Sequence, residues 1–170
     1  TSLGAGVYAR RCSNVTIENV EFVNITGANA LMLTGYGDGY ATTPEVTGNR
    51  VSNCVFRNMA NDISGNNLSD HSTIYVGTKN TRVENNRLYA TETALDENMA
   101  GLEIHSPGCF AEQNVVENYR NGLFVASDHA YGGVSAWVRD NVLRTGTLGI
   151  AIWGIGNYFD LIEISGNYIE

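Results

Sequence analysis

A six-residue pattern of apolar and polar positions recurs along the chain: apolar, two mostly polar positions, an Asn-rich position, any residue, then apolar. Copies are Ile17-Glu18-Asn19-Val20-Glu21-Phe22, Val51-Ser52-Asn53-Cys54-Val55-Phe56, Val83-Glu84-Asn85-Asn86-Arg87-Leu88 and Ala111-Glu112-Gln113-Asn114-Val115-Val116, with further copies at 138–143 and 164–169. The fourth position reads Val20, Cys54, Asn86, Asn114, Asn141 and Asn167, at intervals of 34, 32, 28, 27 and 26 residues. Repetition at such a period is the mark of a solenoid, with one coil per interval. Apolar residues five apart cannot share one face of a straight strand, whose side-chain period is two, so each copy must bend where Asn sits. Asn tolerates the left-handed backbone of such a bend, and stacked Asn amides can hydrogen-bond to the copies above and below.

A second strand lies between successive bends: Leu31-Met32-Leu33, Ile74-Tyr75-Val76, Leu102-Glu103-Ile104, Leu123-Phe124-Val125 and Ile150-Ala151-Ile152. Alternation turns its Leu, Ile and Val inward and leaves Met32, Tyr75, Glu103, Phe124 and Ala151 as an outward ladder, with rungs about 4.8 Å apart. The pattern predicts an all-β right-handed parallel β-helix, about six coils of three short strands, as a single domain over residues 1–170. Gly6-Val7-Tyr8 reads as part of a preceding coil and Ile169-Glu170 ends a strand. Solenoids need capping ends, so the expectation is an uncapped part of a longer β-helix.

Composition agrees and removes several partners. The chain is 43% hydrophobic, with nineteen glycines, two prolines and 16% charged residues, which suits a turn-rich β protein. Its net charge is −8 and its one lysine is Lys79, which argues against nucleic acid and anionic membranes, since both require a basic surface. No run of eighteen apolar residues occurs, so no membrane insertion is expected. Cys12, Cys54 and Cys109 have no metal-like spacing and read as thiols rather than a disulfide framework. The sequons at Asn14, Asn24 and Asn67 are what an Asn- and Thr-rich chain produces by chance.

The coil pattern, over nearly the whole chain, resembles the pectin-lyase-like superfamily of right-handed β-helices: polysaccharide lyases, several glycoside hydrolases, uronate epimerases and bacteriophage tailspikes. In that superfamily the first parallel sheet and its flanking loops form a carbohydrate groove, and the short Asn turn joins the second and third sheets. Mapped by pattern, the Leu-x-Ile strands correspond to that first sheet. The resemblance also implies an extracellular or virion-surface location and, for spikes, a homotrimer of parallel helices. The Asn-Thr-Asp, Asp-Asp and Gly-His-Gly signatures of polygalacturonase-type hydrolases are absent.

Coil-length differences locate candidate functional surface, because a coil itself needs only tight turns. Between bend and ladder strand, the last two complete coils use six residues, 117–122 and 144–149, whereas earlier coils use seventeen, 57–73, and thirteen, 89–101. Beyond the ladder strand the gap is six residues at 77–82 and 105–110, but seventeen at 34–50, twelve at 126–137 and eleven at 153–163. The ladder then becomes the floor of a groove. Asp62, Asp70, His71, Glu92, Asp96 and Glu97 fall in one wall, and Tyr36, Asp38, Tyr40, Asp128, His129, Tyr131, Trp137, Trp153 and Asp160 in the other.

Carboxylates beside aromatic rings suit sugar chemistry: rings pack on the C–H faces of sugars, and carboxylates bind hydroxyls or serve as general acid and base. Glu103 is the first catalytic candidate, since Tyr75 and Phe124 would desolvate it and raise its pKa. Asp70, Asp96 and His105 complete the catalytic set; Tyr75, Phe124, Asp128, His129 and Trp153 form the substrate-binding set. A strand with one Glu and one His is also what a plain solvated face looks like, and loop acids commonly cap turns. The histidines lie in three different coils, so no metal and no cofactor are expected. The leading reading is a polysaccharide-binding and glycan-cleaving domain of glycoside hydrolase type. Its alternatives are a non-catalytic glycan-binding spike or adhesin, and a lyase or epimerase relying on Lys79, His105 or the arginines for positive charge.

Overall fold

The computed structural model of the chain describes residues 5–25, 29–35, 46–59, 71–91, 99–127, 134–154 and 159–170. Every strand pairing is parallel, and no helix occurs among the described residues. One sheet contains β2 (Thr16–Glu18), β5 (Arg50–Ser52), β8 (Arg82–Glu84), β11 (Cys109–Glu112), β13 (Val134–Arg139) and β15 (Phe159–Ser165), stacked in that order. The ladder face carries β1 (Ala5–Arg10), β4 (Asn29–Thr34), β7 (His71–Gly77) and β10 (Met99–Ile104), then the second halves of β12 (Val115–Ser127) and β14 (Val142–Gly154). The third face carries β3 (Glu21–Val23), β6 (Val55–Met59), β9 (Arg87–Ala90), the first halves of β12 and β14, and β16 (Tyr168–Ile169). Six coils of three strand segments result, as the repeat predicts.

The two shortest coils differ from expectation in one respect. Their six-residue links are not loops, because β12 and β14 run unbroken around the corner and join the ladder face to the third face in a single sheet. The bend shows as register shifts on either side of Tyr119, with Asn118 in a left-handed conformation. Glycine permits this tight corner. A Cβ on Gly122 would lie 2.5 Å from the carbonyl oxygen of Gly149, and one on Gly101 would run into Val116.

At the Asn corner two adjacent positions divide the work. The left-handed backbone falls on the third residue of the pattern, not on the ladder Asn: Asn19, Asn53, Asn85, Gln113, Asp140 and Gly166 all have positive φ. The fourth residue is buried at Cys54, Asn86, Asn114 and Asn141, whereas Val20 in the first copy is exposed. Asn86 donates to Asn114 Oδ1 at 3.0 Å, Asn114 to Asn141 at 3.0 Å, and Asn141 to Asn167 at 2.8 Å. Each Oδ1 also accepts the backbone N–H of the preceding ladder residue, and each amide donates to a carbonyl of the preceding coil, Val51, Val83, Ala111 or Val138. A buried corner that would strand several backbone groups is thereby satisfied. Cys54 extends the column in another chemistry: its Sγ reaches Ile17 O at 3.6 Å, the carbonyl equivalent to those the amides reach.

Inside, Leu31, Leu33, Val51, Phe56, Ile74, Val76, Leu102, Ile104, Val125 and Val138 are among the fully buried side chains, so the alternation read from sequence is realised along the inner coils, whereas in the last ladder strand Ile150 is only partly buried and Ile152 is exposed. Phe22 and Phe56 stack at 4.6 Å between neighbouring coils. Tyr119 is buried with its hydroxyl 2.7 Å from Thr73 Oγ1, and burial pushes its pKa up.

Candidate functional site

The ladder is set by register. Tyr8 pairs with Met32, Met32 with Tyr75, Tyr75 with Glu103, Glu103 with Phe124, and Phe124 with Ala151. Parallel strands without bulges at these positions keep the six side chains on one outward row. Two residues further along, Arg10 pairs with Thr34, Thr34 with Gly77, and Ala126 with Trp153; His105 follows Ile104 into this second row.

Glu103 and His105 meet across the two rows. His105 Nε2 lies 2.8 Å from Glu103 Oε1, a hydrogen bond in which the imidazole donates when the carboxyl is ionised. The His105 ring also stacks on Tyr75, with centroids 4.9 Å apart and planes 30° apart. Both members are more deeply set than an exposed ladder would be: Glu103 is 6% exposed and His105 8%, while Tyr75 and Phe124 are half-buried. Trp153, beyond Ala126 in the second row, is 59% exposed. The patch thus grades from a recessed carboxylate–imidazole pair to an open indole.

Of the residues singled out in the sequence, the structure brings Tyr75, Glu103, His105 and Phe124 together and puts Trp153 on the same face. Asp70, Asp96, Asp128 and His129 lie outside the described residues, as do Tyr36, Asp38, Tyr40, Asp62, Glu92, Glu97 and Tyr131. Each segment that carries them has a ladder-face strand at one end: β6 to β7, β9 to β10, β4 to β5 and β12 to β13.

Two expected wall residues belong elsewhere. Trp137 lies in β13, on the outer side of the other sheet, stacked on Phe110 at 4.6 Å and 11°. Asp160 lies in β15 of that sheet and is exposed. Both follow from strands that begin earlier than the count of coil residues suggests, so part of each counted loop is strand. The Glu103–His105 hydrogen bond was legible only as a shared side two residues apart, and the Tyr75–His105 stack not at all, since it depends on rotamers across rungs.

A family model described as the right-handed β-helix region matches residues 1–169. The chain belongs to the right-handed β-helix family. No curated protein matches it. The β-helix therefore has the hand expected from its repeat, and its parallel pairings and six-fold coil repetition agree with that membership.

Cys109 is buried, and desolvation pushes its thiol up to about 12; burial also raises Cys54. Cys12 is exposed, and all three cysteines are free. No group of three or more His, Cys, Asp or Glu side chains suited to a metal ion occurs among the described residues. No helix among the described residues is long and apolar enough to cross a membrane.

Proposed function

We propose that the ladder face of this β-helix binds a polysaccharide and that the Glu103–His105 pair at its centre acts on the bound glycan. One observation carries the reading: a recessed carboxylate, hydrogen-bonded at 2.8 Å to an imidazole, flanked in register by Tyr75 and Phe124. Aromatic surface for C–H faces beside a group that accepts hydroxyls is the chemistry a sugar ring asks for. Rungs about 4.8 Å apart make the row from Tyr8 to Ala151 roughly 24 Å long, which suits an extended chain molecule.

Glycoside hydrolysis needs two carboxyl groups flanking the scissile bond, one as acid and one as base or nucleophile. Glu103 is one; Asp70, Asp96 and Asp128 are the candidates for the other, since their segments flank the same face in sequence. His105 holds the Glu103 carboxylate in place and serves as a proton relay to it. A second reading, a non-catalytic glycan-binding spike or adhesin at a cell or virion surface, is favoured by the 6% exposure of Glu103. The homotrimer belongs with that second reading.

The test is incubation of the intact protein with bacterial capsular, cell-wall and plant polysaccharides, following new reducing ends and absorbance at about 235 nm. New reducing ends without absorbance, lost in Glu103→Gln, are the expected result. Absorbance would mean elimination and move the chemistry to Lys79, His105 and the arginines. Binding without either signal would establish the spike reading, and no binding to any polymer would end both.

A further inference from the structure

We propose that the ladder face takes an internal stretch of a long glycan laid along the stack, with Tyr8 and Trp153 on the outer rungs reading its length and the Glu103–His105 pair meeting it between them. This rests on the polysaccharide reading above and adds Tyr8 and Met32 to the binding surface.

Register sets the layout. Tyr8, Met32, Tyr75, Glu103, Phe124 and Ala151 occupy successive rungs, one outward side chain per coil. Tyr8 is therefore three rungs from Glu103 on one side, about 14 Å, and Ala151 is two rungs away on the other, about 10 Å. Trp153 stands two residues beyond Ala151 in β14, on the same side of the strand. A sugar ring is close in length to one rung spacing of about 4.8 Å, so a chain along this row places rings on both sides of Glu103. A group that works on chain ends needs a surface beside it that stops the chain. Among the described residues, β7 and β12 instead run parallel to β10 on either side, and no element crosses between them.

The outer side chains suit uncharged contacts. Tyr8 is 54% exposed and Trp153 59%, and neither makes a hydrogen bond or ring contact among the described residues. Trp137 on the other sheet differs, since its ring is stacked on Phe110. A phenol and an indole each offer an apolar face for sugar C–H groups and a polar tip for hydroxyls. Met32, half-buried and in register between Tyr8 and Tyr75, adds an adaptable apolar surface on the way to the centre. Selection of long chains by these groups does not depend on the protonation of Glu103 or His105 and is little screened by salt.

Calorimetry on the intact protein tests this with a size series of oligosaccharides, from the disaccharide upward, cut from whichever polysaccharide binds. Wild-type affinity should climb until the row is spanned, at about six rings, with a total gain of at least about tenfold, equal to about 1.4 kcal/mol. A bulky tag at either end of an oligomer longer than the row should leave its affinity unchanged. Tyr8→Ala and Trp153→Ala should each weaken the longest oligomers about fivefold or more and leave the disaccharide within about twofold. Tyr168→Ala, an equally exposed tyrosine on the third face, should change neither. Affinity already complete at the disaccharide, loss of binding on tagging an end, or unchanged long-oligomer affinity in either ladder variant would overturn the inference while leaving the polysaccharide reading standing. No binding of any polysaccharide would overturn both. The wild-type size series requires no variant, so a folding failure of Tyr8→Ala or Trp153→Ala would not leave the question open.

Discussion

The two broad outer faces of this β-helix are built from the same coil and differ in which side chains the register lines up. On the sheet of β2, β5, β8, β11, β13 and β15, neighbours across rungs satisfy one another. Arg50 bonds Glu84 at 2.7 Å, Arg82 reaches Glu112 at 3.3 Å, and Arg139 holds Glu163 through two bonds. Arg82 also lies over the Phe110 ring at 4.1 Å, and Phe110 stacks on Trp137, so the ring faces are occupied. On the ladder face the register instead lines up Tyr8, Met32, Tyr75, Glu103, Phe124 and Ala151, with one recessed carboxylate–imidazole pair among apolar and aromatic groups. Ion pairs and ring contacts thus run rung to rung along the first surface, whereas on the ladder face the described pair and stack centre on Glu103, His105 and Tyr75.

Breaking the interior shared by both faces should have the largest effect. Asn114→Ala removes an amide that donates to Val83 O and Asn141 Oδ1 and accepts from Asn86, all buried. Unsatisfied buried groups cost about 1–3 kcal/mol each, so a loss of about 3 kcal/mol is expected in urea unfolding followed by circular dichroism. Cys54→Asn runs the other way. It places an amide where the thiol now reaches Ile17 O and where Asn86 already accepts the backbone N–H, and should raise stability by about 1 kcal/mol in the same assay.

Smallest should be the effect on the ionic face. The Arg139 guanidinium beside Glu163 holds that carboxyl below its usual range. A depressed folded-state pKa gives stability that is present above the unfolded value and lost as pH falls through the folded one. The model-peptide value of 4.5 sets the upper edge of that window. Wild type should therefore be slightly more stable than Glu163→Gln at neutral pH, and that small advantage should disappear on acidification below that edge. Solvent screening keeps this contribution small.

How far the sequence spoke follows the same division. Coil number, the inward Leu, Ile and Val, and the ladder from Met32 to Ala151 depend on a period of two and a repeating corner, both written in residue type. Splitting the corner between a left-handed third residue and a buried fourth was not legible, because Asn serves at either place: Asn85 and Asn86 are adjacent and do different work. Trp137 was assigned to the wrong face because coil-length counting cannot tell a loop from an early strand start. Glu103 and His105 could be placed on one side, but their hydrogen bond and the recession of the pair are set by rotamers and by neighbours on other rungs.

The most direct test sets one aromatic of each face against the other: glycan affinity of Phe124→Ala and Trp137→Ala, measured side by side with wild type on whichever polysaccharide binds. Phe124→Ala should weaken binding by about tenfold or more, since truncating a buried aromatic anchor commonly costs over 1 kcal/mol. Trp137→Ala should leave affinity within about twofold while lowering unfolding stability by about 1 kcal/mol through the lost stack. Equal loss in both variants, or loss only in Trp137→Ala, would contradict the assignment of the ladder face as the binding surface.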